Sequence, residues 1–334
     1  MTRRRFLQST AGAAAVVSTA GLIPTFGNAA KIGGGKPEIM RRKLGNTDMK
    51  VSILSFGGGS QFLRNPDGTW EQILETAIES GINLFDTAPN YIASKMSQIW
   101  DGKSVDSSEE RYGMVLPRYR KQIYLSTKLD TRKPDEARAE VETSLKRLKT
   151  DYVDILFIHA IDLEDNIADI ENGVYKSITS FKESGMTRYI GFSSMGDAAH
   201  ATRLLEKLDF DVVLLAMNAT QYGNFAKLAL PVARKKNTGV MSMKLMRDIV
   251  GKEATPKELL YYALTQEGVA TSLIGHTGME TLAGNIKLAQ DFSTAEFTPK
   301  KREDLEARLA HLAGPHTLCW AQPGYMDGSA VGLA

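Results

Sequence analysis

The sequence predicts an α/β fold, a closed (β/α)8 barrel of eight parallel strands, each followed by a helix. Three observations predict it. Short apolar segments alternate with amphipathic stretches of helical spacing from Val51 to Gly275, the rhythm repeats eight times, and several apolar segments end in a polar residue. Strands alternating with helices build a parallel sheet covered by helices. Eight such units in 334 residues fit a barrel that keeps its chemistry at the C-terminal ends of its strands. A doubly wound open sheet is the competing arrangement, and it announces itself with a glycine-rich turn after the first strand. Gly57-Gly58-Gly59-Ser60-Gln61-Phe62 lacks the third glycine of that turn and is not followed at once by a helix.

The chain opens unlike the rest. Thr2-Arg3-Arg4-Arg5-Phe6-Leu7-Gln8 is basic, Ala11 to Ile23 is small and apolar, Pro24 closes the run, and no acid precedes Glu38. This is the layout of an export signal, and the apolar run is short for a membrane span. Thr-Arg-Arg-Arg-Phe-Leu resembles the twin-arginine motif, which implies the twin-arginine export machinery as a partner and a periplasmic protein. Small residues at Gly27 and Ala29 place cleavage after residue 29, leaving no stable membrane span. Residues 30–40 read as a linker, 41–312 as the barrel and 313–334 as a C-terminal tail. The composition, 43% hydrophobic and 24% charged, is that of a globular protein. Lys and Arg number 41 against 39 acids, so no field favours nucleic acid. The single cysteine, Cys319, excludes an internal disulfide.

The strands follow in order. Val51–Phe56 is the first, and the helix Thr69–Ser80 after it carries Ile73, Ala77 and Ile78 on one face. The second strand, from Ile82, ends at Asp86 in Phe-Asp-Thr-Ala-Pro-Asn-Tyr. Ser107-Ser108-Glu109-Glu110 reads as a capped helix start. Ile123–Lys128 is the third strand, Pro134–Lys149 a helix with Ala137, Val141, Leu145 and Leu148 in one stripe, and Val153–His159 the fourth strand. Thr187–Ser193, Val212–Asn218, Gly239–Leu245 and Thr271–Gly275 complete the set. Residues 92–110 and the tail after Gly314 lack clear periodicity.

Three successive strands end in groups that belong together. Asp86 and Tyr91 close the second, Lys128 the third and His159 the fourth. An ammonium beside a phenol favours the phenolate and lowers a pKa that ordinarily lies near ~10. Asp86 can pair with that ammonium, and a histidine alongside can orient a carbonyl oxygen or relay a proton. The set holds no strong nucleophile and no metal-ligand spacing. It suits protonation of an oxygen while another group delivers hydride. Tyr112 competes with Tyr91 but lies inside the expected helix start. Residues 92–110, directly after Tyr91, are expected to cover the pocket, with Trp100 or Ile99 touching the substrate.

Phe85–Tyr91, Ser126-Thr127-Lys128-Leu129 and above all Ser144–His159 resemble the aldo-keto reductases. The resemblance continues through Ile190–Ser194, Gly239–Lys244, Ser272–Thr277 and Glu280–Asn285, covering residues 41–312. It implies a (β/α)8 barrel that interconverts carbonyl compounds and alcohols by hydride transfer with NADP(H). Asp86, Tyr91, Lys128 and His159 would be the catalytic set, with Tyr91 as proton donor. Ser193, Ser194 and Asn218 would contact the nicotinamide amide, Lys244 would lie by the cofactor phosphates, and Thr277 and Asn285 would lie near the adenosine. Gly58, in the glycine run after the first strand, joins these cofactor candidates. NADP(H) is expected ahead of NAD(H), with both open because Thr281 stands where many members carry an arginine for the 2′-phosphate. Ile92 stands where a glycine is usual, and Met243-Lys244-Leu245 holds no aromatic where many members stack one on the nicotinamide.

Two other functions fit parts of the sequence. An exported barrel could bind a dinucleotide in a regulatory or scaffold role with little turnover. A metal-dependent hydrolase would need ligand spacing, and His159, His200, His276, His311 and His316 show none.

Overall fold

The computed structural model describes residues 38–95, 104–325 and 327. The leader with Arg3 and Arg4, and the substrate candidate Trp100, lie outside the described residues. Among the described residues there are ten strands: β1 Arg41–Lys43, β2 Lys50–Ser52, β3 Leu54–Gly57, β4 Leu84–Asp86, β5 Tyr124–Leu129, β6 Val153–Ile161, β7 Thr187–Ser194, β8 Val212–Ala216, β9 Gly239–Met243 and β10 Val269–Ile274. β3 to β10 pair in sequence order, and β10 returns to β3 to close an eight-stranded barrel. Every barrel pairing is parallel. The open-sheet alternative is thereby excluded.

The segment read as one strand, Val51–Phe56, is two. Lys50–Ser52 pairs antiparallel with Arg41–Lys43, and the chain turns at Ile53 into β3. The hairpin lies against the N-terminal end of the barrel. Arg42 donates to Leu264 O and Val269 O, each at 2.8 Å, and Asn83 on the approach to β4 accepts from Ser52 N at 2.8 Å. Alternation over six residues looks the same whether a strand runs straight through or breaks at a buried isoleucine.

The helices between strands follow their local signals. The helix Pro134–Leu148 starts with proline in its first turn, places Asp135 and Glu136 there and Lys146 and Arg147 in its last, and ends on Lys149 in the left-handed region. Its buried face is Ala137, Val141, Ser144 and Leu148. Ser107 caps Ser108–Val115, accepting from Glu110 N. The layer between β3, β4 and the helices outside them is aromatic: Phe56 stacks on Phe85 with centroids 5.5 Å apart, and Phe62 and Tyr112, both on helices, close around them.

The segment after Tyr91 leaves and returns through a short ladder. Ile92 bridges Ser107, Ala93 N donates to Asp106 O at 2.8 Å, and Ser94 Oγ donates to Asp106 Oδ2 at 2.7 Å. The tail after Gly314 is packed onto the barrel. Leu318, Cys319 and Trp320 are buried, and Cys319 N donates to Asp248 Oδ2 at 2.8 Å. Among the described residues no helix is long and apolar enough to cross a membrane.

Candidate active site

Asp86, Tyr91, Lys128 and His159 come together at the C-terminal rim. Asp86 is the last residue of β4, and Lys128 stands one strand further, next to last in β5. Lys128 Nζ donates to Asp86 Oδ2 at 2.6 Å, to Thr87 O at 2.7 Å and to the Tyr91 hydroxyl at 3.2 Å. Ser126 Oγ holds the other Asp86 oxygen at 2.7 Å. Three partners satisfy the buried ammonium, which is what a fully desolvated lysine needs. The turn Thr87–Asn90 folds Tyr91 back so that its ring lies 4.6 Å from Lys128 Nζ.

His159 stands where β6 breaks register. Ile158 pairs with Phe192 and Ile161 with Ser194, so β6 carries one extra residue, and Ala160 has φ 50°. Such a bulge re-aims a side chain next to a site. The strand therefore runs two residues past the expected end at His159. The imidazole meets the Tyr91 ring edge-on, with centroids 5.9 Å apart. Its Nδ1 pairs with Asp130 and its Nε2 lies 3.3 Å from Asp327 Oδ2. Burial alone pulls this imidazole down, but the hydrogen bonds to Asp130 and Asp327 outweigh it and leave the pKa above its ordinary value.

Asp327 is the residue that sequence reasoning missed. It comes from the aperiodic tail, and its carboxylate sits at the centre of the site. Tyr91 donates its hydroxyl to Oδ2 at 2.8 Å, and Lys244 Nζ donates to Oδ1 at 2.6 Å. Asn90 Nδ2 holds the Asp327 carbonyl at 2.9 Å. Burial opposes the charge, but Lys244 and His159 hold the carboxyl well below the usual range. Burial, then Asp327, then Asp86 hold the Tyr91 phenol well above its ordinary value. The expected lowering of that pKa by Lys128 is thus overturned while the tail is docked. No short-range pattern marks Asp327. Asp130 had a signal, since it follows Lys128 by two residues at the same strand end.

The cofactor candidates divide. A cleft of about 1160 Å³ runs from Tyr91 and Asp327 to the helix Gly278–Gln290. Thr277 and Asn285 line its far end with Thr281 and Glu280. Lys244, just past β9, lines it too, and its ammonium reaches Asp327 beside Tyr91. Gly58 does not line the cleft, although Gly57 and Gly59 do. Gly58 N donates to Asp86 O at 2.7 Å, and a Cβ there would stand 2.8 Å from that oxygen and 2.5 Å from Ser108 Oγ. Its bareness lets β3 approach the Asp86 strand end. Ser193 Oγ accepts from Ala160 N at 2.7 Å and Ser194 Oγ donates to Ile161 O at 2.9 Å, so both serines also tie β7 to the bulge. Asn218 accepts through Oδ1 from Thr220, while its Nδ2 is buried without a hydrogen-bond partner. That orphaned amide fits a ligand carbonyl such as a nicotinamide amide. Tyr112, the competing phenol, is fully buried and donates to Asp86 O at 3.2 Å, behind the strand end. Among the described residues no cluster of His, Cys, Asp and Glu could hold a metal ion.

Known proteins resemble the chain in sequence and fold. A profile of the aldo/keto reductase family matches residues 54–249. The chain is 24% identical over 312 residues to L-galactose dehydrogenase of Arabidopsis thaliana, covering 81% of this chain and 95% of that protein. It is 27% identical to the uncharacterised oxidoreductase YqkF of Bacillus subtilis, covering 81% and 96%. Among solved structures, a putative aldo-keto reductase of Pseudomonas aeruginosa superposes with TM-score 0.62 at 26% identity, over 76% of this chain and 96% of that one. The holo form of aldo-keto reductase AKR11C1 from Bacillus halodurans shares the fold, with TM-score 0.64 at 19% identity over 81% and 96%. With the profile spanning the barrel from β3 past β9, where the four rim residues also lie, the chain belongs to the aldo/keto reductase family and is an NAD(P)H-dependent oxidoreductase.

Proposed function

We propose that the protein interconverts a small carbonyl compound and its alcohol, with Tyr91 as proton donor and NADP(H) as the favoured cofactor. The observation that carries the reading is the Lys128 ammonium, held by Asp86 at 2.6 Å and standing 3.2 Å from the Tyr91 hydroxyl. In reduction the Tyr91 O–H bond breaks and the proton goes to the substrate oxygen. The phenolate left behind faces Lys128, which stabilises the charge as it develops. His159 Nε2 orients the same oxygen, and Asp130 on Nδ1 fixes the ring. A bound nicotinamide supplies hydride to the carbonyl carbon or accepts it from the alcohol. Asn218 Nδ2, Thr277 and Asn285 would hold that dinucleotide along the cleft.

Tyr91→Phe is expected to lower kcat for carbonyl reduction by ~10³-fold or more while nucleotide binding stays within about twofold. Purified protein assayed with NADPH and NADH side by side checks both parts. Undiminished turnover in the variant would remove Tyr91 from the role, and a lower KM for NADH would reverse the cofactor preference.

Export belongs to the same reading. Arg3, Arg4 and the apolar run after them support passage by the twin-arginine machinery to the periplasm. Changing Arg3 and Arg4 together to lysine is expected to leave precursor in the cytoplasm on cell fractionation; normal periplasmic accumulation would assign another route.

A further inference from the structure

The chain carries its own ligand for the site. Asp327 Oδ2 takes the Tyr91 hydroxyl at 2.8 Å and lies 3.3 Å from His159 Nε2. The remaining contacts of those two groups are internal, Tyr91 to Lys128 and His159 Nδ1 to Asp130. Any substrate oxygen that receives the Tyr91 proton must stand where Oδ2 stands, so the docked carboxylate and the substrate exclude each other.

Lys244 makes that exclusion selective. Its side chain is 9% exposed, and the ammonium donates to Asp327 Oδ1 at 2.6 Å and to the Tyr325 hydroxyl at 3.0 Å. The residue starts from φ 59°, a left-handed conformation uncommon for lysine and often kept at functional sites. Tyr325 lies over it, with Nζ 5.1 Å from the ring centroid. A ligand that displaces Asp327 without bringing a charge leaves Lys244 without its counter-ion. A ligand that brings a carboxylate restores the pair.

We propose that Asp327 is a built-in stand-in for an anion of the substrate: the docked tail closes the site, and the substrates that open it are carbonyl compounds bearing a carboxylate. In an oxo acid the carbonyl oxygen takes the place between Tyr91 and His159, and the carboxylate takes Lys244. The proposal rests on the reductase reading and names its substrate class. A neutral aldehyde supplies only the first of the two contacts.

Two measurements on the mature chain test it. The first is hydrogen exchange of a peptide spanning residues 318–327. Oxalate, a non-reducible stand-in for glyoxylate, is expected to speed exchange at Tyr325 and Asp327 at least tenfold. Neutral methylglyoxal and NADPH alone are expected to leave it unchanged. No response to oxalate overturns the proposal, and so does release by NADPH alone, which would give Lys244 to the cofactor. The second is kcat/KM for glyoxylate against methylglyoxal, expected to favour glyoxylate at least tenfold. Asp327→Asn is expected to lower KM for both while keeping that order. Equal or better use of methylglyoxal overturns the proposal, as does a fall in activity in Asp327→Asn, which would make the carboxylate part of catalysis. Absence of turnover with every carbonyl compound counts against the reductase reading, and the exchange measurement still decides the anion site.

Discussion

A lysine with no exposed side-chain surface is tolerable only because of what surrounds it, and at Lys128 that is chiefly Asp86. Asp86→Asn keeps the shape and removes the charge, leaving Lys128 buried without its counter-ion. The expected cost is ~3–5 kcal/mol of unfolding free energy, read from urea melts of wild type and variant. A loss below about 1 kcal/mol would mean that the Thr87 carbonyl and the Tyr91 hydroxyl suffice to hold the ammonium. Asp86, Tyr91, Lys128 and His159 were legible in the sequence because each lies close to a strand end, and strand ends in a barrel share a rim. Asp327 was not, because nothing local distinguishes it from any other aspartate in a tail. Gly58 misled for a related reason. Sequence shows that a glycine is there, and only packing shows that it faces the Asp86 carbonyl rather than the cleft.

Elements were legible to the extent that their signals are local. Helix Pro134–Leu148 announces its start with proline and its core face with a stripe, and it lies where expected. The break at Ile53 was invisible, since a hairpin strand and a barrel strand with one buried residue between them show the same apolar run. The two residues beyond His159 were missed for a different reason. An extra residue in β6 has meaning only against β7, and its partner Phe192 stands far along the chain. The bulge is also what carries the histidine, so the irregularity and the chemistry have one origin.

At the scale of the whole molecule, the closed barrel followed from the count of strand–helix units, but the tail that crosses its rim did not. The tail also gives the protein a pH response. The groups around the docked carboxylate are His159, Asp130, Lys128, Asp86, Tyr91, Lys244, Arg247 and Tyr325. His159 is raised above its ordinary value, burial being outweighed by Asp130 and Asp327, so its contribution to docking is full below about pH 6.5 and fades as pH rises through the raised value. Asp327 is held low, with Lys244 and His159 overcoming burial. Its contribution is present above about pH 4 and is lost as pH falls through the lowered value. Tail protection, corrected for intrinsic exchange, is therefore expected to peak between these limits and to decline on the alkaline side. A protection profile that is flat from pH 5 to pH 9 would detach His159 from the tail.

The buried thiol of Cys319 sits in the same tail, ahead of Tyr325. Burial, opposed by Arg247, pushes it up to about 12, so it is neither accessible nor ionised while Leu318 and Trp320 stay packed. It is also the chain's one cysteine, and a thiol-selective alkylating reagent therefore reports on a single place. A tail that lifts only from Tyr325 onward leaves the thiol silent. One that peels back through Leu318 surrenders it, and a single mass increment per chain then separates a hinged end from an unravelled one.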